Sequence, residues 1–192
     1  CITNYMTPEI DFTDKVCLDL GGNVGGFTKV AIDGGAKAVY TVECDIRNYE
    51  KMAESFADEP KATIIHAAVS DSTAPSIRIY KGNSQQAHCS VSIMKRSKFT
   101  DYDEVINIHI SELLKKYQPD IIKIDIEGAE YQIIEFVEAY QPEALFVELH
   151  MGKVKQYAQP TLERLSALYP KQHVKELIVF QSVAGYDCWF TK

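Results

Sequence analysis

The run Val16-Cys17-Leu18-Asp19-Leu20-Gly21-Gly22-Asn23-Val24-Gly25-Gly26-Phe27-Thr28 reads as a buried strand entering a glycine-rich turn and then a helix. At such a junction an α/β sheet binds a nucleotide-like cofactor. The spacing from Asp19 departs from the dinucleotide fingerprint, and a carboxylate there would repel a pyrophosphate while suiting a cationic ligand. S-adenosylmethionine carries an ammonium and a sulfonium where NAD carries phosphates, so the residues predict a methyl-donor site. Gly21 and Gly25 permit positive φ and let backbone approach the ligand, and Asn23 is the non-glycine type that best tolerates the left-handed region. Glu43 closes the run Ala38-Val39-Tyr40-Thr41-Val42 about 20 residues further on, where an acidic side chain can accept both ribose hydroxyls. A tight βα connection with no ligand is the alternative.

A second group lies in Ile121-Ile122-Lys123-Ile124-Asp125-Ile126-Glu127-Gly128-Ala129-Glu130. Strand alternation puts Lys123, Asp125 and, if the strand runs that far, Glu127 on one face. Charged residues in a central parallel strand must be paired or face a cleft, so a structural bridge from Lys123 to a carboxylate competes with catalysis. Glu148 and His150 end another strand and alternate onto the same side. Methyl transfer is an in-line displacement that needs positioning and a proton acceptor, which makes Asp125, Glu127, Glu148 and His150 the catalytic candidates. A surface histidine is the bland reading of His150. A divalent ion held by these four side chains is a rival in which the metal orients a diol; no metal ligand is assigned.

The elements that must position these groups alternate along the chain. Strands are expected at Val16–Leu20, Ala38–Glu43, Thr63–Ala67, Asp120–Ile126 and Ala144–Leu149, with helices at Gly25–Asp33, Ile46–Ala57, Ser111–Tyr117, Ala129–Tyr140 and Leu162–Tyr169. This is a doubly wound, mostly parallel sheet. Runs Val174–Ser182 and Tyr186–Thr191, separated by Val183-Ala184-Gly185, read as a closing antiparallel hairpin and bring the sheet to seven strands. A short extra strand is expected at Ser76–Lys81. The polar stretch Gly82–Asp103 reads as a long loop, either a lid that orders on binding or a disordered segment.

The 192 residues are 46% hydrophobic, enough for one domain with its own core. Five scattered cysteines without metal spacing indicate a reducing, cytoplasmic compartment. No basic-then-apolar leader and no span-length apolar run is present, so neither secretion nor a membrane is expected. The chain opens at Cys1, as a segment cut from a longer chain would. A net charge of −7 disfavours a broad nucleic-acid surface. Lys95, Arg96 and Lys98 are the local exception, where an anionic acceptor could be steered.

Three segments, DLGGNVGGFT from Asp19, HAAVSD from His66 and IKIDIEGAEYQII from Ile122, resemble the FkbM family of methyltransferases. The resemblance implies a class I fold, S-adenosylmethionine as cofactor, and O-methylation of a sugar or other hydroxyl-bearing small molecule. It implies Gly21, Asn23 and Gly25 around the methionine moiety with Asp19 beneath its ammonium, and Glu43 on the ribose. Cys44 and the Ala67-Ala68 turn would flank the adenine, Asp125 would lie near the sulfonium, and Gly22 and Phe27 would complete the contacts. Gly22 stands where the family often has alanine. Two other chemistries are disfavoured. DNA amino methylation typically uses an Asp/Asn-Pro-Pro-aromatic strand end where this chain has Asp125-Ile126-Glu127-Gly128. Viral cap ribose methylation typically uses a lysine where it has Glu148-Leu149-His150. Methylation of a nucleotide or nucleic-acid ribose, and a non-catalytic cofactor-binding module, stay as alternative functions.

Overall fold

Strand β1 (Val16–Leu20) is enclosed on both faces from Cys17 onwards, as a central parallel strand must be. The computed structural model describes residues 9–81, 91–92, 101–150, 155–179 and 182–192. After β1 come α1 (Gly26–Asp33), β2 (Ala38–Glu43), α2 (Ile46–Ser55), β3 (Ala62–His66), β4 (Ala68–Ser70), β5 (Ser76–Lys81), β6 (Val91–Ser92) and β7 (Asp101–His109). There follow α3 (Ile110–Tyr117), β8 (Ile121–Ile124), α4 (Glu130–Tyr140), β9 (Ala144–His150), α5 (Lys155–Leu168), β10 (Lys171–Val179) and β11 (Ser182–Thr191). The main sheet has seven strands in the order β10-β11-β9-β8-β1-β2-β3. Neighbours from β3 to β9 are parallel, and β11 is antiparallel to both β9 and β10.

Side-chain alternation along β1 feeds two cores. Leu18 and Leu20 face Leu113, Ile133, Val137 and Leu165 from the α3, α4 and α5 layer. Cys17 faces Phe27, Val30 and Ala31 of α1 on the other side. The sheet is therefore covered on both faces, and strand ends are where chemistry can be exposed. None of the described helices is long and apolar enough to cross a membrane.

The larger departures from expectation are these. β8 stops at Ile124, so Asp125 and Glu127 stand in the turn beyond it, with Glu127 at φ 56 and Gly128 at φ 98. α5 begins at Lys155 and carries Pro160 inside it. Gly185 is a strand residue, not a turn residue: it pairs with both His150 and Leu177, and a Cβ there would strike the Leu149 carbonyl. Residues 180–181, between β10 and β11, lie outside the described residues. Finally, the expected loop Gly82–Asp103 is partly strand. β6 and the start of β7 fall within it, and β7 joins β4 and β5 in a second sheet ordered β4-β7-β5-β6. The alternation in β7 is weak because its pairing with β5, not deep burial, holds it: Val105 is buried while Tyr102 and Ile106 are exposed. Lys95, Arg96 and Lys98 lie outside the described residues.

Candidate active site at the carboxyl edge of the sheet

Beneath the glycine turn, the register places Thr41, Asp19 and Lys123 side by side on β2, β1 and β8. All are buried. Lys123 Nζ lies 3.1 Å from Asp19 Oδ1, Thr28 Oγ1 donates to Asp19 Oδ2 at 2.9 Å, and Thr28 and Thr41 share a hydrogen bond of 2.7 Å. Lys123 also donates to the Gly21 carbonyl, tying the turn to β8. Asp19 was expected beneath a ligand ammonium. It is instead wholly enclosed, and it acts on the turn through Lys123.

The glycine turn has three residues at positive φ, Gly21, Asn23 and Gly25, and the turn after β8 has two, Glu127 and Gly128. A Cβ at Gly21 would strike the Asp125 carbonyl, and one at Gly25 would meet the Phe56 ring. Packing against β8 and α2 therefore demands these glycines. Gly22 is likewise enclosed, against Thr41 and Met52. Asn23 is exposed, and its backbone N–H donates to Glu43 Oε2 at 2.7 Å while Asp45 N donates to Oε1 at 2.7 Å. Burial is the largest influence on Glu43 and pushes its carboxyl up to about 7, against those two donors and Lys123; Asp45 raises it further. α1 is preceded by Gly25 at its N-cap, with no side-chain cap and no acidic residue in its first turn, so no side chain caps its leading N–H groups.

Across from the turn, four carboxylates and one imidazole converge. His150 Nδ1 lies 2.9 Å from Glu130 Oε1, and its Nε2 lies 3.3 Å from Glu148 Oε1 and 3.6 Å from Glu127 Oε2. Asp125 Oδ2 is 3.9 Å from Lys123 Nζ, which connects the two halves of the site. Burial would lower the His150 value, but the hydrogen bond and charge of Glu130, then Glu127 and Glu148, outweigh it and hold the ring up to about 9. Burial, then the charge of Asp125, pushes Glu148 up to about 7 against the pull of His150. The buried Glu130 also accepts from Ile126 N and Gly128 N, fixing the strained turn. Tyr131 Oη donates to the His150 carbonyl at 2.8 Å.

The chain matches the model of the methyltransferase FkbM domain over residues 19–188. The chain belongs to the FkbM methyltransferase family. No curated protein sequence matches it. Among solved structures, the FkbM methyltransferase of Methylobacillus flagellatus KT is similar at a TM-score of 0.58 and 15% identity, over 94% of this chain and 44% of that one. The chain thus spans less than half the length of that relative. Precorrin-6y C5,15-methyltransferase from Geobacter metallireducens gives 0.54 and 12%, over 100% and 85%. M. jannaschii TYW2 in complex with AdoMet gives 0.51 and 12%, over 93% and 68%. These likenesses show the class I methyltransferase fold.

In this FkbM domain the predicted residues fall into three sets. Gly21, Gly22, Asn23, Gly25 and Glu43 stand together at the glycine turn, and Asp125, Glu127, Glu148 and His150 cluster across from it. Phe27 and Ala67, expected on the cofactor, are core residues: Phe27 packs edge-on to Phe12 and Phe146, and Ala67 lies in the larger core. Cys44 is half-buried, and its carbonyl lies 3.2 Å from His66 Nε2, whose ring stacks on Tyr49. Thr28, Thr41, Glu130 and Asp187 were not foreseen. Asp187 stands opposite Glu148 on β11. Glu130 could have been read from its place in the first turn after the Glu127-Gly128 bend; Asp187 carries no local signal, since pairing across a hairpin brings it in.

Proposed function

We propose that this domain transfers a methyl group from S-adenosylmethionine to a hydroxyl of an uncharged, polyhydroxylated small molecule of the sugar type. One observation carries the reading: the glycine turn beside Glu43 and the cluster of Asp125, Glu127, Glu148 and His150 stand at one sheet edge, with Lys123 touching the Gly21 carbonyl on one side and Asp125 on the other. The donor set suits the cofactor's charges. The uncapped start of α1 fits an amino-acid carboxylate, the exposed side of Asp125 fits an ammonium or sulfonium, and Glu43 fits vicinal ribose hydroxyls. When bound, S-adenosylmethionine supplies an electrophilic methyl group.

The chain's own residues then have three tasks. Lys123 holds Gly21 and Asp19 and so fixes the turn. Glu148, near 7, is the better proton acceptor at neutral pH, because His150 is held as an imidazolium by Glu130. His150 in turn balances the charge that would appear on Glu148. The acidic edge favours an uncharged acceptor over an anionic one, and the net charge of −7 weighs against nucleic acid.

Labelled cofactor offered to sugar, lipid, peptide and nucleic-acid pools tests the reading. Label is expected in the sugar pool, and Glu148→Gln is expected to lower turnover by about 10²–10⁴-fold with cofactor affinity kept. Cofactor binding with no pool labelled would make the domain a non-catalytic binding module; label in nucleic acid would replace the acceptor class.

A further inference from the structure

We propose that Asp125, Glu148 and His150 form a binding site for one divalent first-row transition-metal ion. Each side chain offers a ligand atom, and the three atoms lie within 4.8 Å of one another, so a side-chain shift of a few tenths of an ångström brings all three onto a single ion at about 2.0–2.2 Å from each. Glu148 and His150 end β9, and Asp125 is the first residue beyond β8, the strand hydrogen-bonded to β9, so the sheet brings the three together at one edge. A mixed set of two carboxylates and one imidazole suits Mn²⁺, Fe²⁺ or Zn²⁺ better than an all-oxygen ion such as Ca²⁺.

The second, independent observation is Glu130. It is fully enclosed, its Oε1 is turned onto His150 Nδ1, and its Oε2 is buried with no hydrogen-bond partner. A buried carboxylate on the far nitrogen of a histidine is the outer-shell arrangement that orients metal-ligating imidazoles. It leaves Nε2 aimed at Glu148 and Glu127. A neutral ring protonated at Nδ1 presents its Nε2 lone pair to these carboxyl groups, so a proton or a cation must stand between them. Without metal it is a proton on Nε2 or on Glu148; an ion that binds there displaces it to solvent.

The charge balance agrees. Asp125, Glu127, Glu130, Glu148 and Asp187 gather at this edge, whereas Lys123 is engaged with Asp19 and the Gly21 carbonyl. Resting on the acceptor proposed above, the ion would take two neighbouring hydroxyl oxygens of that acceptor on its open side and lower the pKa of one. Glu148 would hold the ion with one oxygen and receive the proton on the other.

The test uses the whole domain with Mn²⁺ alone, without cofactor or acceptor, so its outcome does not depend on methyl transfer. Titration followed by electron paramagnetic resonance should show one bound equivalent, and calorimetry in buffers of different ionisation enthalpy should show net proton release. His150→Gln and Glu148→Gln should each weaken binding at least tenfold, and the positioning variant Glu130→Gln about 10–100-fold. Spin-echo modulation from a directly bound imidazole nitrogen should be visible in the wild-type protein, which needs no variant to fold. Absence of stoichiometric Mn²⁺ binding, or bound Mn²⁺ with no nitrogen modulation, overturns the site. S-adenosylmethionine binding measured separately in chelator distinguishes that failure from failure of the methyltransferase reading.

Discussion

With Glu43 on the ribose, as proposed, cofactor binding becomes a function of pH. Burial holds its carboxyl near 7, so the ribose-accepting form becomes dominant only above that value. The groups acting on it are Lys123, which favours the ion, and Asp45, which opposes it. S-adenosylmethionine affinity should therefore rise as pH climbs through about 7 and then level off, and Glu43→Gln should flatten the profile. Calorimetry between pH 5.5 and 8.5 checks this, and a wild-type affinity that is flat across that range removes Glu43 from the ribose. In the unliganded protein the sign is opposite. An acid whose folded value is raised from 4.5 gives stability that is present below about 4.5 and lost as pH rises through about 7.

At the scale of elements, three adjacent strands share the enclosed Thr41, Asp19 and Lys123 row, and removing one charge strands the other. Lys123→Met should destabilise the fold by about 3–5 kcal/mol, while Asp19→Asn with Lys123→Met should recover much of that loss in denaturant melts. A double variant no more stable than the single one would show that the pair is not the cause. The glycine turn gives a second element-level outcome. Gly25→Val forces a β-branched residue to φ 88 beside Phe56 and should cost on the order of 1–3 kcal/mol while displacing α1. Cofactor binding should be lost with it, and a folded variant that binds normally would separate the turn from the site.

The elements also show what local pattern can and cannot reveal. β1, β2, β9 and α4 were legible because apolar periodicity and length agree there. β7 was not, because its strand character comes from pairing with β5 and β4. In the site, Asp125, Glu127, Glu148 and His150 could be read from strand-end placement. That Asp19 is sealed beneath the turn could not, since the same spacing serves a ligand contact or an internal clamp, and only the Lys123 register decides.

For the molecule as a whole, two clusters at one sheet edge imply coupled ordering. S-adenosylmethionine and its demethylated product should bind in the low-micromolar range, about −7 to −8 kcal/mol. Binding should slow hydrogen exchange in the Gly21–Gly25 turn and in the Asp125–Gly128 turn together, because Lys123 joins them. Protection confined to the first turn would show the two halves to be independent.

The placement of β11 between β9 and β10 has a consequence for biosynthesis. β9 carries Glu148 and His150, yet its second sheet partner is the last strand to be translated of those described, and the final neighbour of Glu148 is Asp187. While the ribosome is still making α5 and β10, the nascent chain holds β1, β2, β3, β8 and β9 with one flank of β9 unpaired. The glycine turn can thus take shape on the ribosome well before the edge carrying Glu148 and His150 is closed, and, on the proposed roles, a chain released early is expected to bind cofactor without turnover.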